Sequence, residues 1–364
     1  MRPRRQRQSK TGLDNSMLVY SRGQLFRILI YAVTISCFTY PACAHVKWFN
    51  NEYCVSCTPS KLFSVFNGFW FLLLICFSLL TLSAFIFDRA YFDKANQWTE
   101  RKLRLLKAPP EDYLRVGLGI FLVCLWWNSG ILLTPELQTH NKLLPWLQLI
   151  LAFTTISWTT TWIACVGVFF LYCFALKVYG VFHLLDYPIF LGIAAYLAIH
   201  SLRLNSLLPF AGSVLVTAVS GTLLWASFEK WAYWVWTVPL LAEHPTMTLG
   251  MNPKTFIVLA GFVEFFLAYF LLAGRFLGRV AALILLIMFV SAVFDFGFID
   301  LVGHLLIIIS LIVIILQGVQ PITNLVSFPR LGVTNGAFAC LGILVSVLGA
   351  YGIGYFGLHH LLYG

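Results

Sequence analysis

Apolar runs separated by short polar segments dominate this chain from residue 25 onward. A run of about 20 apolar residues can cross the hydrocarbon core of a membrane as a helix. No polar segment between the runs is long enough to form a soluble domain. The pattern therefore predicts an all-α, polytopic transmembrane helical bundle of about ten spans. The predicted spans are 25–44, 62–87, 114–133, 144–176, 181–201, 207–226, 255–273, 280–296, 301–316 and 336–356.

Two of these segments need comment. Segment 25–44 is either an uncleaved anchor or a signal peptide, since a basic flank and an apolar core precede the small-residue pattern Ala42-Cys43-Ala44. Segment 144–176 is predicted to be one tilted span with a helical extension, because it is too short for two spans and a turn. Glycines in the last span are expected to allow close helix packing; they are Gly342, Gly349, Gly352 and Gly354.

The predicted spans divide the chain into four parts. These are a basic cytoplasmic tail (1–24), an N-terminal transmembrane region of about five spans (25–201), a C-terminal helical unit (202–318), and a loop with the final span (319–364). The N-terminal region contains an outer polar loop (45–61) and a basic loop (88–113).

Composition and charge support a membrane location. The chain is 60% hydrophobic and only 10% charged, whereas about a quarter of the residues in soluble domains are charged. The net charge of +10 is concentrated in the N-terminal tail and in loop 88–113, as expected for the cytoplasmic side of a membrane protein. The charge therefore indicates contact with the lipid bilayer and not with nucleic acid. We expect a bacterial inner (plasma) membrane protein with a cytoplasmic N-terminus, unless residues 1–44 are cleaved.

One feature conflicts with this topology. A count of ten spans places Arg275 and Arg279 on the outer side, against the preference of basic residues for the cytoplasm.

Ionisable residues interrupt the apolar C-terminal half: Glu264, Asp295, Asp300 and His304. A carboxylate at the centre of a bilayer costs about 2.5–3.5 kcal/mol on insertion scales. Asp300 and His304 are four residues apart and share a helix face. Asp295 and Asp300 flank a predicted turn, where charge is tolerated, so the functional argument rests on Glu264 facing His304. The two are expected to relay protons, contact a cofactor or bind an ion; the alternative is a hydrogen bond that fixes helix packing.

The segment before this block carries Glu229 and Lys230 within the aromatic stretch 228–236, followed by Glu243 and His244. Trp and Tyr favour the headgroup level of a membrane. The stretch is therefore interpreted as an interfacial girdle, in which Glu229 and Lys230 are either an anchor or a site for a quinone or another amphipathic ligand.

Residues 207–317 also resemble the DoxX-like membrane family. The resemblance is carried by SFEKW, AEHPTMTLGMNP, LAGFVEFFLAYFLLAG and FGFIDLVGHLLIII, and it covers roughly 110 of the 364 residues. It implies a four-helix unit over 202–318 with quinone- or thiol-linked redox chemistry, as in subunits of thiosulfate:quinone oxidoreductases. By position, the resemblance implies functional roles for Glu229, Lys230, Glu243, His244, Glu264, Asp300 and His304.

His183 and Asp186 form a second candidate, because residues three apart share a helix face. A His–Asp pair at a membrane boundary fits proton transfer or metal binding, and equally a simple cap. Because proline has no backbone N–H and its ring clashes with the preceding helical turn, we predict that a helix starts or bends at Pro188.

The outer loop carries a third candidate. Cys54 and Cys57 have the spacing of a redox or metal-binding motif, or of a short disulfide. Cleavage after Ala44 would make His45 the N-terminal residue, whose amine and imidazole suit copper, with His140 or a thiolate completing the site.

These features lead to three functional hypotheses. The first is a quinone- or thiol-linked redox component of the membrane, acting alone or as a subunit of a larger membrane complex. The second is a membrane transporter or copper-handling protein. The third is an accessory subunit without chemistry of its own. The chain has no P-loop, HExxH or haem-binding motif in a credible context, which argues against an ATPase, a metalloprotease or a c-type cytochrome.

Overall fold

The computed structural model describes residues 46–49, 53–60, 66–103, 109–248, 250–318 and 332–364, and this part of the chain is predominantly helical. Short 3-10 helices occur at Trp234–Thr237 and Pro245–Thr248. The α-helices are α1 Val46–Phe49, α2 Gly68–Leu103, α3 Pro110–Trp127, α4 Leu144–Thr154, α5 Thr161–Tyr179, α6 Val181–Leu184, α7 Pro188–Ser201, α8 Leu208–Ala232, α9 Val238–Glu243, α10 Pro253–Ala273, α11 Phe276–Phe296, α12 Phe298–Gln317 and α13 Val333–Tyr363.

Six helical segments in the described part are long and apolar enough to cross a membrane. The longest, Phe276–Gln317, folds back on itself at Gly297, whose φ of 76° suits glycine and lets α11 and α12 pack side by side. The all-α architecture is thus confirmed, and the apolar helices fit an integral membrane protein. A total of about ten spans stays a prediction. The segments are Gly68–Tyr91, Thr161–Tyr179, Leu208–Ala232, Pro253–Ala273, Phe276–Gln317 and Val333–Tyr363.

The predicted single helix over 144–176 is wrong. Helix α4 ends at Thr154 and α5 begins at Thr161. Hydroxyl groups in the intervening segment bond to the local backbone: Thr155 donates to the Ala152 carbonyl (2.8 Å) and Thr160 donates to the Thr154 carbonyl (2.7 Å). Such bonds compete with continued helix and favour a turn. The chain therefore reverses here.

This extra reversal removes the conflict over Arg275 and Arg279. The backbone N–H groups of Arg275 and Leu277 donate to the Asp88 carboxylate at 2.8 and 2.9 Å, and the Arg279 guanidinium donates to Asn96. The start of α11 thus lies beside the C-terminal half of α2. We call this end of the bundle, which carries the basic residues of α2 and α11, the basic end. The opposite end, which carries residues 53–60, is called the disulfide end.

Glycines permit close helix contacts, but not where the sequence suggested. A Cβ added at Gly261 of α10 would lie 2.4 Å from the indole nitrogen of Trp231 in α8, which donates to the Val258 carbonyl at 3.1 Å. Trp231 is therefore a core residue and not part of an interfacial girdle. By contrast, a Cβ at Gly349 would meet no described neighbour within 4 Å, and the same holds at Gly342 and Gly354. At Gly352 an added Cβ would lie 3.4 Å from the Phe228 ring, an ordinary contact.

Candidate functional site

A cavity of about 440 Å³ lies among α1, α7, α8, α10, α11 and α12. Its walls are mainly apolar and aromatic, with Trp48, Tyr233, Trp236 and Phe289 among them. The ionisable side chains that line it are Asp186, Glu229, Lys230, Glu264, Asp295, Asp300 and His304. The structure therefore brings residues from three of the sequence-predicted groups to one cavity.

The ammonium group of Lys47 contacts two carboxylates in this wall. It lies 2.5 Å from Glu229 and also pairs with Asp186, and the Lys47 side chain is only 1% exposed. Burial alone would lower the pKa of Lys47, but the charges of Asp186, Glu229 and Glu136 raise it well above its ordinary value. Lys47 is thus a buried cation held by carboxylates, which sequence analysis did not identify.

Glu136 forms a second buried group beside the first. Its Oε1 atom lies 2.6 Å from His183 Nε2, and it also accepts a hydrogen bond from the Tyr187 hydroxyl. Burial acts to raise the pKa of Glu136, but the charge of Lys47 and the bond to His183 bring it below its ordinary value. Burial and the nearby carboxylates raise the pKa of Tyr187 well above its ordinary value. Glu136 therefore carries a negative charge stabilised by these partners.

The predicted pairing of His183 with Asp186 is wrong. The two side chains bind different partners, His183 to Glu136 and Asp186 to Lys47. The reason is that helix α6 ends at Leu184, so the two residues do not share one helix face. The predicted start of a helix at Pro188 is confirmed by α7.

Glu264 and His304 also have separate partners. Lys230 lies 2.5 Å from Glu264, whereas His304 Nδ1 lies 2.9 Å from Asp300. The expected Glu264–His304 contact is therefore replaced by the Lys230–Glu264 ion pair and the Asp300–His304 contact, which line the same cavity. The Asp300 side chain is 1% exposed and Asp295 is exposed, so only Asp295 fits the expectation of a solvated turn.

An aromatic residue from α1 covers one of these pairs. The Trp48 ring lies 5.1 Å from the His304 ring and rests on Gly303, where an added Cβ would fall 1.8 Å from the indole. Phe289 lies on His304 as well, with ring centres 4.7 Å apart. The α1 segment thus contributes the Trp48 ring to the cavity wall, and its Lys47 contacts two carboxylates of that wall from behind.

The loop at the disulfide end packs on the cavity wall. Cys54 and Cys57 form a disulfide, with Cys57 exposed and Cys54 half-buried. The Tyr233 hydroxyl donates to the Cys57 carbonyl at 2.8 Å, and the Tyr53 ring lies 6.0 Å from Trp236. Because Tyr233 and Trp236 also line the cavity, the disulfide loop and the cavity share part of one wall.

The remaining predicted residues lie apart. Glu243 is exposed and His244 packs on Phe296 with ring centres 5.0 Å apart; neither lines the cavity. His140 is exposed, and His45 lies outside the described residues. Within the described ranges, no group of three or more His, Cys, Asp or Glu residues is arranged to hold a metal. Since the disulfide also leaves no thiolate at Cys54 or Cys57, the copper site stays a prediction that depends on His45.

The candidate site therefore consists of the cavity, the Lys230–Glu264 and Asp300–His304 pairs that line it, and the carboxylates around Lys47. Comparison with models of known protein families, with curated proteins and with solved structures finds no match to the chain.

Proposed function

We propose that this protein binds a quinone in the cavity between α8, α10 and α12, and that it is a redox component of the membrane. The observation that carries the proposal is the cavity, which joins a largely apolar lining to a few charged groups. Small-molecule sites typically enclose about 300–1,000 Å³ and combine apolar walls with few polar groups. A volume of about 440 Å³ is suited to a quinone ring.

The polar groups match the chemistry of a quinone. A quinone ring has two carbonyl oxygens that accept hydrogen bonds, and its reduction adds two protons. Lys230 is a donor, and Asp300 with His304 is a pair that can hold or release a proton. The rings of Trp48, Tyr233 and Phe289 provide flat apolar surfaces for stacking.

The disulfide offers a route by which electrons from a dithiol substrate can reach the quinone. A thiolate of a dithiol substrate would attack the exposed Cys57 sulfur, and the second substrate thiol would release the oxidised substrate, leaving Cys54 and Cys57 as thiols. Reoxidation of these thiols transfers two electrons and two protons to the quinone, which becomes a quinol. The shared wall formed by Tyr233 and Trp236 supports this coupling. The redox chemistry agrees with the DoxX-like resemblance of residues 207–317.

Quinone binding by a variant whose cavity is filled with a larger side chain tests the proposal. Ala260 lines the cavity, whereas Ala90 is exposed on α2. We expect a short-chain quinone to bind the purified full-length protein saturably. The Ala260→Phe variant should bind at least about tenfold more weakly, a loss of about 1.4 kcal/mol, and Ala90→Phe should bind normally. Absence of saturable binding, or equal binding by both variants, would overturn the proposal.

A further inference from the structure

We infer that the three buried carboxylates around Lys47, those of Glu136, Asp186 and Glu229, together hold one exchangeable proton beside the cavity. The inference concerns a binding site for a proton, and it stands on the geometry of this cluster. Only the use of the proton in quinone reduction rests on the proposed function.

The charges of the cluster do not balance. Among the described residues, three carboxylates face only two cationic or protonatable nitrogen groups, Lys47 and His183. Even with His183 protonated, one negative charge remains in excess. The exposed fractions of the five side chains lie between 0% and 12%. An excess charge in such a site is costly, and neighbouring carboxylates then share a proton.

In the part of the chain that the structure describes, the neighbouring elements add no further cation to the cluster. Hydroxyl groups surround the cluster on several sides, and these are neutral near neutral pH. The groups that interact with it are Tyr53 from the disulfide loop, Tyr172 and Tyr179 from α5, Tyr187 before α7, Tyr233 after α8 and Tyr355 from α13. The excess of negative charge is therefore not compensated by the residues that pack around it.

One carboxylate oxygen of the Asp186–Glu229 pair is bare. Asp186 Oδ1 is buried and has no hydrogen-bond partner in the described part of the chain. Buried acceptors without a partner carry a desolvation cost of about 1–3 kcal/mol. Protonation of a carboxyl converts a bare acceptor into a neutral group and lowers this cost.

The cluster adjoins the cavity on one side and the surface of the disulfide end on the other. Asp186 and Glu229 line the cavity, so a proton held between them reaches a ligand there. On the other side, Glu136 is hydrogen-bonded to His183, and the Tyr179 ring lies 5.6 Å from the His183 ring. The Tyr179 hydroxyl donates to the backbone carbonyl of Gln138, an exposed residue. The cluster thus lies between the surface of the disulfide end and the cavity. Glu136 has its own partners in His183 and Tyr187, whereas Asp186 and Glu229 share the single ammonium of Lys47, so the proton belongs to the Asp186–Glu229 pair.

Infrared spectroscopy of the full-length protein in lipid vesicles tests this inference. We expect the native protein to show a protonated carboxyl band at neutral pH that disappears as one proton is released on alkaline titration. Glu229→Gln and Asp186→Asn should each remove the band, because either change removes the excess charge. Glu243→Gln, an exposed acid outside the cluster, should leave it unchanged.

Two results would overturn the inference: a native protein without this band, or a band that persists in both cluster variants. Loss of the band on adding sodium ions at constant pH would also overturn it, since a metal cation would then neutralise the site. A thermal melt of each variant identifies any that does not fold. Because Glu229→Gln and Asp186→Asn are both conservative, each one tests the inference independently if the other fails to fold. Quinone binding is measured on the same samples. A native protein that shows the band but binds no quinone would contradict the proposed function alone.

Discussion

The ammonium of Lys47 in the short helix α1 lies 2.5 Å from the carboxylate of Glu229 near the end of α8. This contact joins the N-terminal part of the chain to the C-terminal helical unit. Because Glu229 lines the cavity, a residue remote in sequence thereby holds part of the cavity wall in place. A buried pair of this kind is strongly destabilised when one partner alone is removed, because the other is left without compensation.

Lys47→Met is therefore expected to lower the free energy of unfolding by about 3–5 kcal/mol. Two carboxylates would lose their cation. The double variant Lys47→Met/Glu229→Gln should recover part of the loss, which a double-mutant cycle in chemical denaturation measures. Lys142 is exposed and provides the control: Lys142→Met should change stability by less than about 0.5 kcal/mol. Equal effects at both lysines would contradict the role of Lys47.

Acid should destabilise the protein partly through Glu136. The pKa of its carboxyl is lowered in the folded state, so its contribution is present above the ordinary value of 4.5 and is lost as the pH falls below it. Stability measured from pH 6 downward should therefore decline less steeply in Glu136→Gln than in the native protein. Glu243→Gln should follow the native curve, since Glu243 is exposed. Parallel curves for Glu136→Gln and the native protein would show that Glu136 is not stabilised as an anion.

Gly303 is expected to be required for the docking of α1. A Cβ at this position would lie 1.8 Å from the Trp48 ring, so Gly303→Ala must displace the indole from the cavity wall. We predict a loss of about 1–3 kcal/mol, as for other over-packed sites, together with a more solvent-exposed tryptophan fluorescence spectrum. Gly349→Ala is the matched control in an open helix position and should be neutral or slightly stabilising. A Gly303→Ala variant as stable as the control would mean that Trp48 does not pack there.

The disulfide should be needed for electron transfer but not for quinone binding. In proteoliposomes with a dithiol donor and a quinone acceptor, Cys57→Ser is expected to abolish quinone reduction while quinone affinity stays within about twofold of the native value. Cys76 is a free, exposed cysteine on α2, and Cys76→Ser should retain full activity. Unchanged quinone reduction in Cys57→Ser would exclude the disulfide from the pathway.

Lys230 and Glu264 should act as one unit in ligand binding. Their atoms are 2.5 Å apart and both residues line the cavity. Lys230→Gln and Glu264→Gln are each expected to weaken quinone binding about tenfold, and the double variant should be little worse than either. Lys177 is exposed at the end of α5, so Lys177→Gln serves as the control. Independent, additive effects of the two substitutions would show that they do not form a functional pair.

The helical architecture could be predicted from sequence because it depends on long apolar runs, which report burial or lipid contact directly. The reversal between α4 and α5 was missed because its signal is weak. The turn is built by hydroxyls that bond to the backbone, as where the Thr161 hydroxyl donates to the Ser157 carbonyl, with no Pro or Gly to mark it. That one missed turn explains the apparent misplacement of Arg275 and Arg279.

The site could be predicted only in part, because partner choice is a tertiary property. Glu264, His304 and Asp186 were noticeable as charges in or beside apolar runs, but their partners came from distant segments. Lys47 and Glu136 lie in short polar loops, where a charged residue is ordinarily solvated. The only local hint at Lys47 is its place between Val46 and Trp48, both apolar.

Photolabelling with a light-reactive quinone tests the central claim most directly. The native protein in lipid vesicles would be labelled, digested and mapped by mass spectrometry, with and without an excess of unreactive quinone. The account predicts label on peptides of α8, α10 and α12 around Lys230, Glu264 and His304, and loss of this label under competition. Label confined to the lipid-exposed faces of α2 and α13, unaffected by competitor, would contradict it.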